Sequence, residues 1–255
     1  MTTLFISHGA PTLAMEPGAT GRLLAELGRS LPRPDAILAV SAHWDTTQPR
    51  VSAVQHPETI HDFGGFPRQM YEIQYPAPGA PALAMRVLEI LADSFPTARM
   101  DAKRGLDHGA WVPLMLMYPQ ADIPVTQLSI QSSAGPLVHY KLGQALSALQ
   151  QENIMLLCSG AITHNLHDFF TSDRNAAVLD YVPAFSDWVA GRIASKDIQS
   201  LLDYRQLAPG GNRAHPHEDH LMPLFVALGA AQGKSVRYEP ENTYGILAMD
   251  TYVWH

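Results

Sequence analysis

The chain has 255 residues, a formal net charge of −7, and a hydrophobic fraction of 46% against 16% charged residues. That balance excludes a disordered chain and gives enough length to bury a sizeable core. No lysine or arginine run is present, which argues against a nucleic-acid or anionic-membrane partner. No apolar stretch approaches the ~18 residues that span a bilayer, no basic and then apolar leader opens the chain, and the single cysteine, Cys158, sits in an apolar run. A cytoplasmic protein is therefore expected.

In chain order, Leu4 to Ile6 predicts a first strand, and His8-Gly9-Ala10-Pro11 a turn that displays the histidine. Leu23, Leu24, Leu27 and Leu31 recur at helical spacing over 18–31, and Pro32 and Pro34 end that helix. Ile37-Leu38-Ala39-Val40 predicts a short strand buried on both faces, with His43 where the strand should run out. This strand–helix–strand unit predicts a parallel pair joined by a right-handed crossover. Residues 45–78 read as a long loop whose aromatic content suggests a folded lid or pocket wall. Pro81 opens a helix reaching Leu91. A loop over 106–111 leads into a buried helix, followed by a strand over 123–130, a helix over 136–149 and a third apolar strand over 154–158. Helices over 175–194 and 217–231 flank a loop at 205–216, and 236–238 and 246–254 read as closing strands. No repeat, low-complexity tract or linker interrupts the pattern, so one α/β domain over residues 1–255 is expected.

The twelve histidines need individual explanations. His8, His43 and His164 each follow an apolar strand and a few small residues. Ligands of open α/β sheets collect outside the carboxyl ends of strands. Neighbouring parallel strands lie about 4.8 Å apart, close enough for two imidazoles to share an ion, so His8 and His43 are candidate metal ligands. His217 and His220 are three apart and share a face of the predicted 217–231 helix. Glu218 and Asp219 suit that helix's N-terminal dipole, and Glu218 is also a candidate ligand. His108 lies beside Asp107, a carboxylate able to hold it in one tautomer for acid–base work. His56, His139, His167 and His255 are expected in surface or structural roles. The HExxH, paired CxxC, Walker and Gly-x-Ser-x-Gly patterns are all absent. What remains is a mononuclear, histidine-rich metal site, serving either hydrolysis or oxygen activation by non-heme iron.

Six motifs then stand in one order: Ser7-His8-Gly9-Ala10-Pro11, Ser41-Ala42-His43-Trp44, Thr59-Ile60-His61-Asp62-Phe63-Gly64-Gly65-Phe66-Pro67, Leu106-Asp107-His108-Gly109-Ala110-Trp111, Thr163-His164-Asn165-Leu166 and His220-Leu221-Met222-Pro223-Leu224. With these the chain resembles the class III extradiol ring-cleaving dioxygenases, in their DOPA 4,5-dioxygenase-like branch, from about residue 4 to 250. The resemblance implies a three-layer α/β domain with a mostly parallel or mixed central sheet between helices. It implies a mononuclear non-heme metal, Fe(II) or zinc, on His8, His43 and His220. His164 would be a fourth ligand or the acid–base histidine, and His108 would line the substrate pocket. The substrate would be a catechol-type, DOPA-like aromatic opened with O2, and His61 and Tyr71 would steer its side chain. A zinc hydrolase built on the same cluster and a metal-binding relative without turnover are the competing readings. The expected partners are the catechol and O2, with a monomer or small homo-oligomer as the assembly.

Overall fold

The computed structural model describes residues 2–254, and His255 lies outside them. Its strands are β1 (Thr2–Ser7), β2 (Ala36–Asp45), β3 (Arg50–Ser52), β4 (Arg99–Asp101), β5 (Val125–Ile130), β6 (Ile154–Gly160), β7 (Ser235–Tyr238), the small ribbon β8 (Asn242–Thr243) with β9 (Leu247–Ala248), and β10 (Thr251–Trp254). All but β8 and β9 form one sheet in the order β4-β3-β5-β2-β6-β1-β10-β7. The centre is parallel, since β6 pairs in parallel with both β1 and β2, and β2 with β5. β10 and β7 are antiparallel, as is the β3–β5 pair, which makes the sheet mixed.

Helices α1 (Gly18–Ser30), α2 (Pro81–Leu91), α3 (His108–Met117), α4 (Gly135–Leu146), α5 (Leu166–Phe170), α6 (Tyr181–Ala194), the short α7 (Ile198–Leu202), α8 (Tyr204–Leu207) and α9 (Gly211–Ala214), and α10 (Met222–Ala230) complete the chain. Side chains alternate across a strand, so each central strand feeds two cores. Leu4, Ile6, Ile37, Ala39, Met155 and Leu157 join one core with residues of α1 and α3. Phe5, Leu38, Val40, Leu156 and Cys158 join the other with α2, α4, α6 and α10. The result is a single three-layer α/β domain. No helix among the described residues is long and apolar enough to cross a membrane.

Several expectations change. β1 and β2 are parallel but not paired, because β6 lies between them; its run of apolar residues, buried on both faces, belongs at the sheet centre. β2 continues through His43 to Asp45, and its register against β5 shifts between Val40 and Asp45, an irregularity of the kind that re-aims side chains near sites. β3 and β4 fall inside or beside the presumed loops, since three residues each leave little pattern to read. α3 begins at His108, because the Asp107 carboxylate accepts from Ala110 N and caps it. The predicted 175–194 helix starts only at Tyr181; before it, Leu179 N donates to Gly245 O. The 205–216 loop contains α8 and α9. The final helix opens at Met222 with Pro223 in its first turn, after a 3-10 turn over Asp219–Leu221.

The segment after α9 buries His215 completely, between the rings of Phe185 and Tyr204. Its Nε2 lies 2.7 Å from Ile162 O and donates to it. Burial, against the raising influence of that hydrogen bond, pushes its pKa down from 6.5 to about 3. The folded state therefore refuses a proton that the unfolded chain takes up below pH 6.5. The stabilisation is full above 6.5 and drains as pH falls toward about 3, a loss on the order of 4–5 kcal/mol. Urea unfolding of metal-free protein between pH 7 and 4 should show it. His215→Gln keeps a donor for Ile162 and is expected to flatten that pH dependence by one proton's worth; an unchanged slope would refute the assignment.

Candidate metal centre

His8, His43 and His220 converge on one point at the carboxyl end of the sheet. His8 follows β1, where its N donates to Gly160 O at 2.9 Å. His220 sits in the turn before α10, and its carbonyl accepts from Ala161 N at 2.9 Å. Gly160 permits that approach, since a Cβ there would run into the His220 carbonyl. The end of β6 thus holds both neighbours, and β2 delivers His43 from its other side. His8 and His43 flank β6 rather than occupying adjacent strands, and their side chains close the gap to 4.9 Å between ring centres. Their Nε2 atoms are 3.1 Å apart, and His43 Nε2 is 3.2 Å from His220 Nε2.

The surroundings bear on which nitrogen of His8 and His43 carries the proton. Pro113 lies inside α3 and has no N–H, so the Gly109 carbonyl four residues earlier lacks its helical donor. Ser159 Oγ fills that place by donating to Gly109 O. Having spent its only proton, Ser159 accepts from His8 Nδ1 at 2.9 Å. Asp62 Oδ2 lies 3.3 Å from His43 Nδ1, and Oδ1 accepts from His108 N at 3.0 Å and His108 Nδ1 at 2.9 Å. Burial works against the Asp62 charge, but the His108 hydrogen bond and the His108 and His43 rings hold its carboxyl well below the usual range. His220 Nδ1 is 3.2 Å from Asp219 Oδ2, near enough for charge attraction though misaligned for a hydrogen bond. Ser159 thus holds the proton of His8 on Nδ1 and the Asp62 carboxylate favours the same for His43, which leaves their Nε2 lone pairs inward; His220 Nδ1 has no hydrogen-bond partner.

Those lone pairs face one another in a site that resists protonation. Burial first, and then the neighbouring rings, hold His8 and His220 well below their ordinary pKa, and burial lowers His43 to about 4. Three neutral imidazoles facing inward could hold a divalent metal. Bonds of about 2.0–2.1 Å from one ion give nitrogen separations of about 2.9 Å at right angles and about 3.3 Å at tetrahedral angles, which bracket the 3.1 and 3.2 Å found. The residues present fit the group.

His108 and His164 stand beside this trio. His108 packs at 4.0 Å from the His43 ring. The His164 ring stacks on His220 at 3.5 Å with 3° between the planes. An ion in the plane of one such ring lies well out of the plane of the other, so this arrangement keeps His164 out of the set that includes His220. Glu218 points away, pairing with Arg205 at 3.7 Å on a separate cleft, and His217 lines that cleft too. Neither shares a helical face with His220, because α10 starts later. Asp107 does not hold His108; it accepts from Ser41 Oγ (2.6 Å), Arg104 Nη2 (2.6 Å) and Gln127 Nε2 (2.7 Å). That buried network joins β2 to the start of α3, so it places His43 and His108 together.

A cavity of about 570 Å³ opens over the trio. His108, His164 and Asp62 line it, with Phe63, Phe66 and Phe169 among its walls. The 45–78 segment is thus the expected pocket wall, through Asp62 to Phe66. His61 and Tyr71 are not among the residues that line the cavity. His61 Nε2 donates to Ile73 O at 2.9 Å, and both rings pack behind Phe63. Asp62 and Ser159 are the residues in contact with the clustered histidines that sequence reasoning passed over. Asp62 had one available mark, a lone carboxylate between His61 and the Phe-Gly-Gly-Phe run; Ser159 had none.

The family model of the catalytic LigB subunit of aromatic ring-opening dioxygenase matches residues 2–253. A 4,5-DOPA dioxygenase extradiol of Beta vulgaris is 43% identical over 98% of this chain and 95% of its own length. A protein of the same name from Escherichia coli K12 is 42% identical over 92% and 86%. The crystal structure of an uncharacterized Escherichia coli K12 protein superposes with a TM-score of 0.82 at 34% identity, covering 100% of both chains. Fold and site together define an α/β oxidoreductase with a histidine-rich centre. The chain belongs to the LigB family of aromatic ring-opening dioxygenases.

Residues that only orient ligands still tune affinity. Ser159→Ala and Asp62→Asn are each expected to weaken metal binding about 10–100-fold, measured by competition with a chelator. Unchanged affinity in both variants would sink the tautomer assignment.

Proposed function

We propose that this site binds one divalent metal, Fe(II) for turnover, through Nε2 of His8, His43 and His220. There it opens catechol-type rings by extradiol insertion of O2. The observation that carries this reading is the set of three converging Nε2 atoms, 3.1 and 3.2 Å from one to the next, at the floor of a cavity walled by aromatic rings. Zinc suits the same donors, so activity, rather than the ligand set, decides the working metal. When bound, Fe(II) supplies the electron exchange that lets O2 react with an aromatic ring.

The chain's own residues do the rest. Phe63, Phe66 and Phe169 offer flat apolar walls that orient a catechol ring and exclude water. His164, lowered to about 4 mainly by burial, is neutral at pH 7 and free to accept a catechol hydroxyl proton and later return it. His108 is the second proton carrier. Its Nδ1–H is anchored on Asp62, which leaves Nε2 open toward the cavity for proton transfer. Asp62 is committed to two histidines, which leaves it poorly placed as the water-activating base of a hydrolase. We place the protein in the cytoplasm on its buried, unpaired thiol, Cys158.

The test is anaerobic loading with Fe(II), followed by air and a catechol panel that includes DOPA, reading O2 uptake and visible absorbance together. The expected result is a yellow product with one O2 consumed per catechol. Bound metal with neither colour nor uptake across the panel would overturn the reading.

A further inference from the structure

Resting on the ring-opening reading, we infer that Tyr244 is a specificity-determining residue for the substrate. A strained turn holds it on the cavity wall, where its hydroxyl meets a hydrogen-bonding substituent of the catechol ring. That wall is the β8–β9 hairpin, which contributes Tyr244, Ile246 and Leu247. Its turn has φ of 56° at Tyr244 and 65° at Gly245, and Ile246 N donates to Thr243 O at 3.3 Å. Positive φ at both central positions is the pattern of a type I′ turn, which favours Asn-Gly, Asp-Gly or Gly-Gly. A bulky side chain at the first of them is disfavoured, because its Cβ crowds the backbone. Among the described residues, Ala121 and Lys196 are the other non-glycine positions with positive φ, and neither lines this cavity.

The surrounding chain holds the turn in place. Tyr244 N donates to Arg174 O at 2.8 Å, and Leu179 N donates to Gly245 O at 2.9 Å. Thr163 Oγ1, next in sequence to His164, donates to Ile246 O at 2.6 Å and accepts from Ala248 N at 2.9 Å. Strain of this kind persists where neighbours over-determine it, and it gathers at ligand sites. The ring so delivered meets Phe169 at 4.5 Å and, among the described residues, no histidine ring. It therefore stands apart from the trio that would take the catechol oxygens, and what it can meet is the rest of the substrate. Its hydroxyl lies 3.3 Å from Thr12 Oγ1. A hydroxyl has one proton and two lone pairs, so whichever oxygen donates in that pair, Tyr244 keeps a donor or an acceptor to use. Asn165, also on the cavity, keeps one Nδ2 proton and one Oδ1 lone pair beyond its bonds to Arg213 O and Asp168 N. Neutral groups offering both roles match a substituent that itself carries donors and acceptors, such as the amino-acid group of DOPA.

The test compares wild type, Tyr244→Phe and Tyr244→Asn on DOPA and on methylcatechol, whose substituent is apolar. Each is assayed for kcat and KM on the Fe(II) enzyme and for affinity, by calorimetry, on the redox-inert zinc form. Phenylalanine keeps the ring and the strained backbone and removes only the hydroxyl. Tyr244→Phe is expected to weaken DOPA about tenfold or more, in KM and in zinc-form affinity, with kcat and the methylcatechol values unchanged. Tyr244→Asn, the residue such a turn favours, is expected to lose the same preference while its metal-free Tm stays within about 4 °C of wild type. A Tyr244→Phe protein that binds DOPA as wild type does, or that weakens both catechols equally, would overturn the inference. A Tyr244→Asn protein with the wild-type preference would overturn it too. Should no compound be opened by the iron form, the ring-opening reading fails, and the zinc-form affinities still decide the role of Tyr244.

Discussion

His164→Gln is expected to retain its metal and to lose about two to four orders of magnitude in kcat, the range for a positioned acid–base group. The first half of that expectation rests on orientation. The ring lies parallel to His220 at 3.5 Å, so the in-plane lone pairs of the two imidazoles cannot meet at one ion. The second half rests on protonation state. Burial lowers His164 to about 4, which leaves it neutral at working pH, and its side chain lines the cavity over the three histidines. Glutamine keeps the polarity and much of the volume but has no basic nitrogen, so binding survives and proton transfer does not. Metal content by elemental analysis and single-turnover ring opening, measured on the same sample, separate the two. Loss of metal would make His164 a ligand after all; wild-type turnover would remove it from the chemistry.

Legibility in the sequence followed the length of each pattern. β1, β2 and β6 are apolar on both faces, and α1 and α2 repeat at helical spacing between clear prolines, so these elements could be read locally. The order of strands could not, because the crossover that inserts β6 between β1 and β2 is a long-range choice made by burial. The site divides the same way. His8, His43 and His220 stood out because small residues or a motif flank each of them. Asp62 and Ser159 matter only through partners 46 and 151 positions away, His108 and His8, which no local window contains. Asp107 shows the opposite error. Sequence adjacency suggested a partner for His108, whereas capping α3 turns its carboxylate toward Ala110 and Arg104.

His43→Ala is expected to abolish metal binding and turnover while leaving the metal-free protein folded. His43 Nε2 is the donor that approaches both others, at 3.1 Å from His8 and 3.2 Å from His220. Without it two imidazoles remain, and the deficit exceeds the about 10–100-fold that loss of a supporting residue costs. In the metal-free protein a change of tautomer lets one Nε2–H donate to the next across these 3.1 and 3.2 Å gaps, so no charge needs to be added. Alanine removes one of the three and the ring contacts of His43 with His8, His108 and His220, so the response to metal, not the baseline stability, carries the test. Wild-type protein should gain about 4 kcal/mol at a thousandfold excess of metal over Kd, which is roughly 8–16 °C in Tm for a domain of this size. The His43→Ala protein should gain nothing, while Glu218→Gln, whose carboxylate faces Arg205 on another cleft, should behave as wild type. Melting curves with and without Fe(II) or zinc decide the matter. A metal-dependent rise in Tm that survives His43→Ala, or one that vanishes in Glu218→Gln, would move the ligand set away from these three histidines.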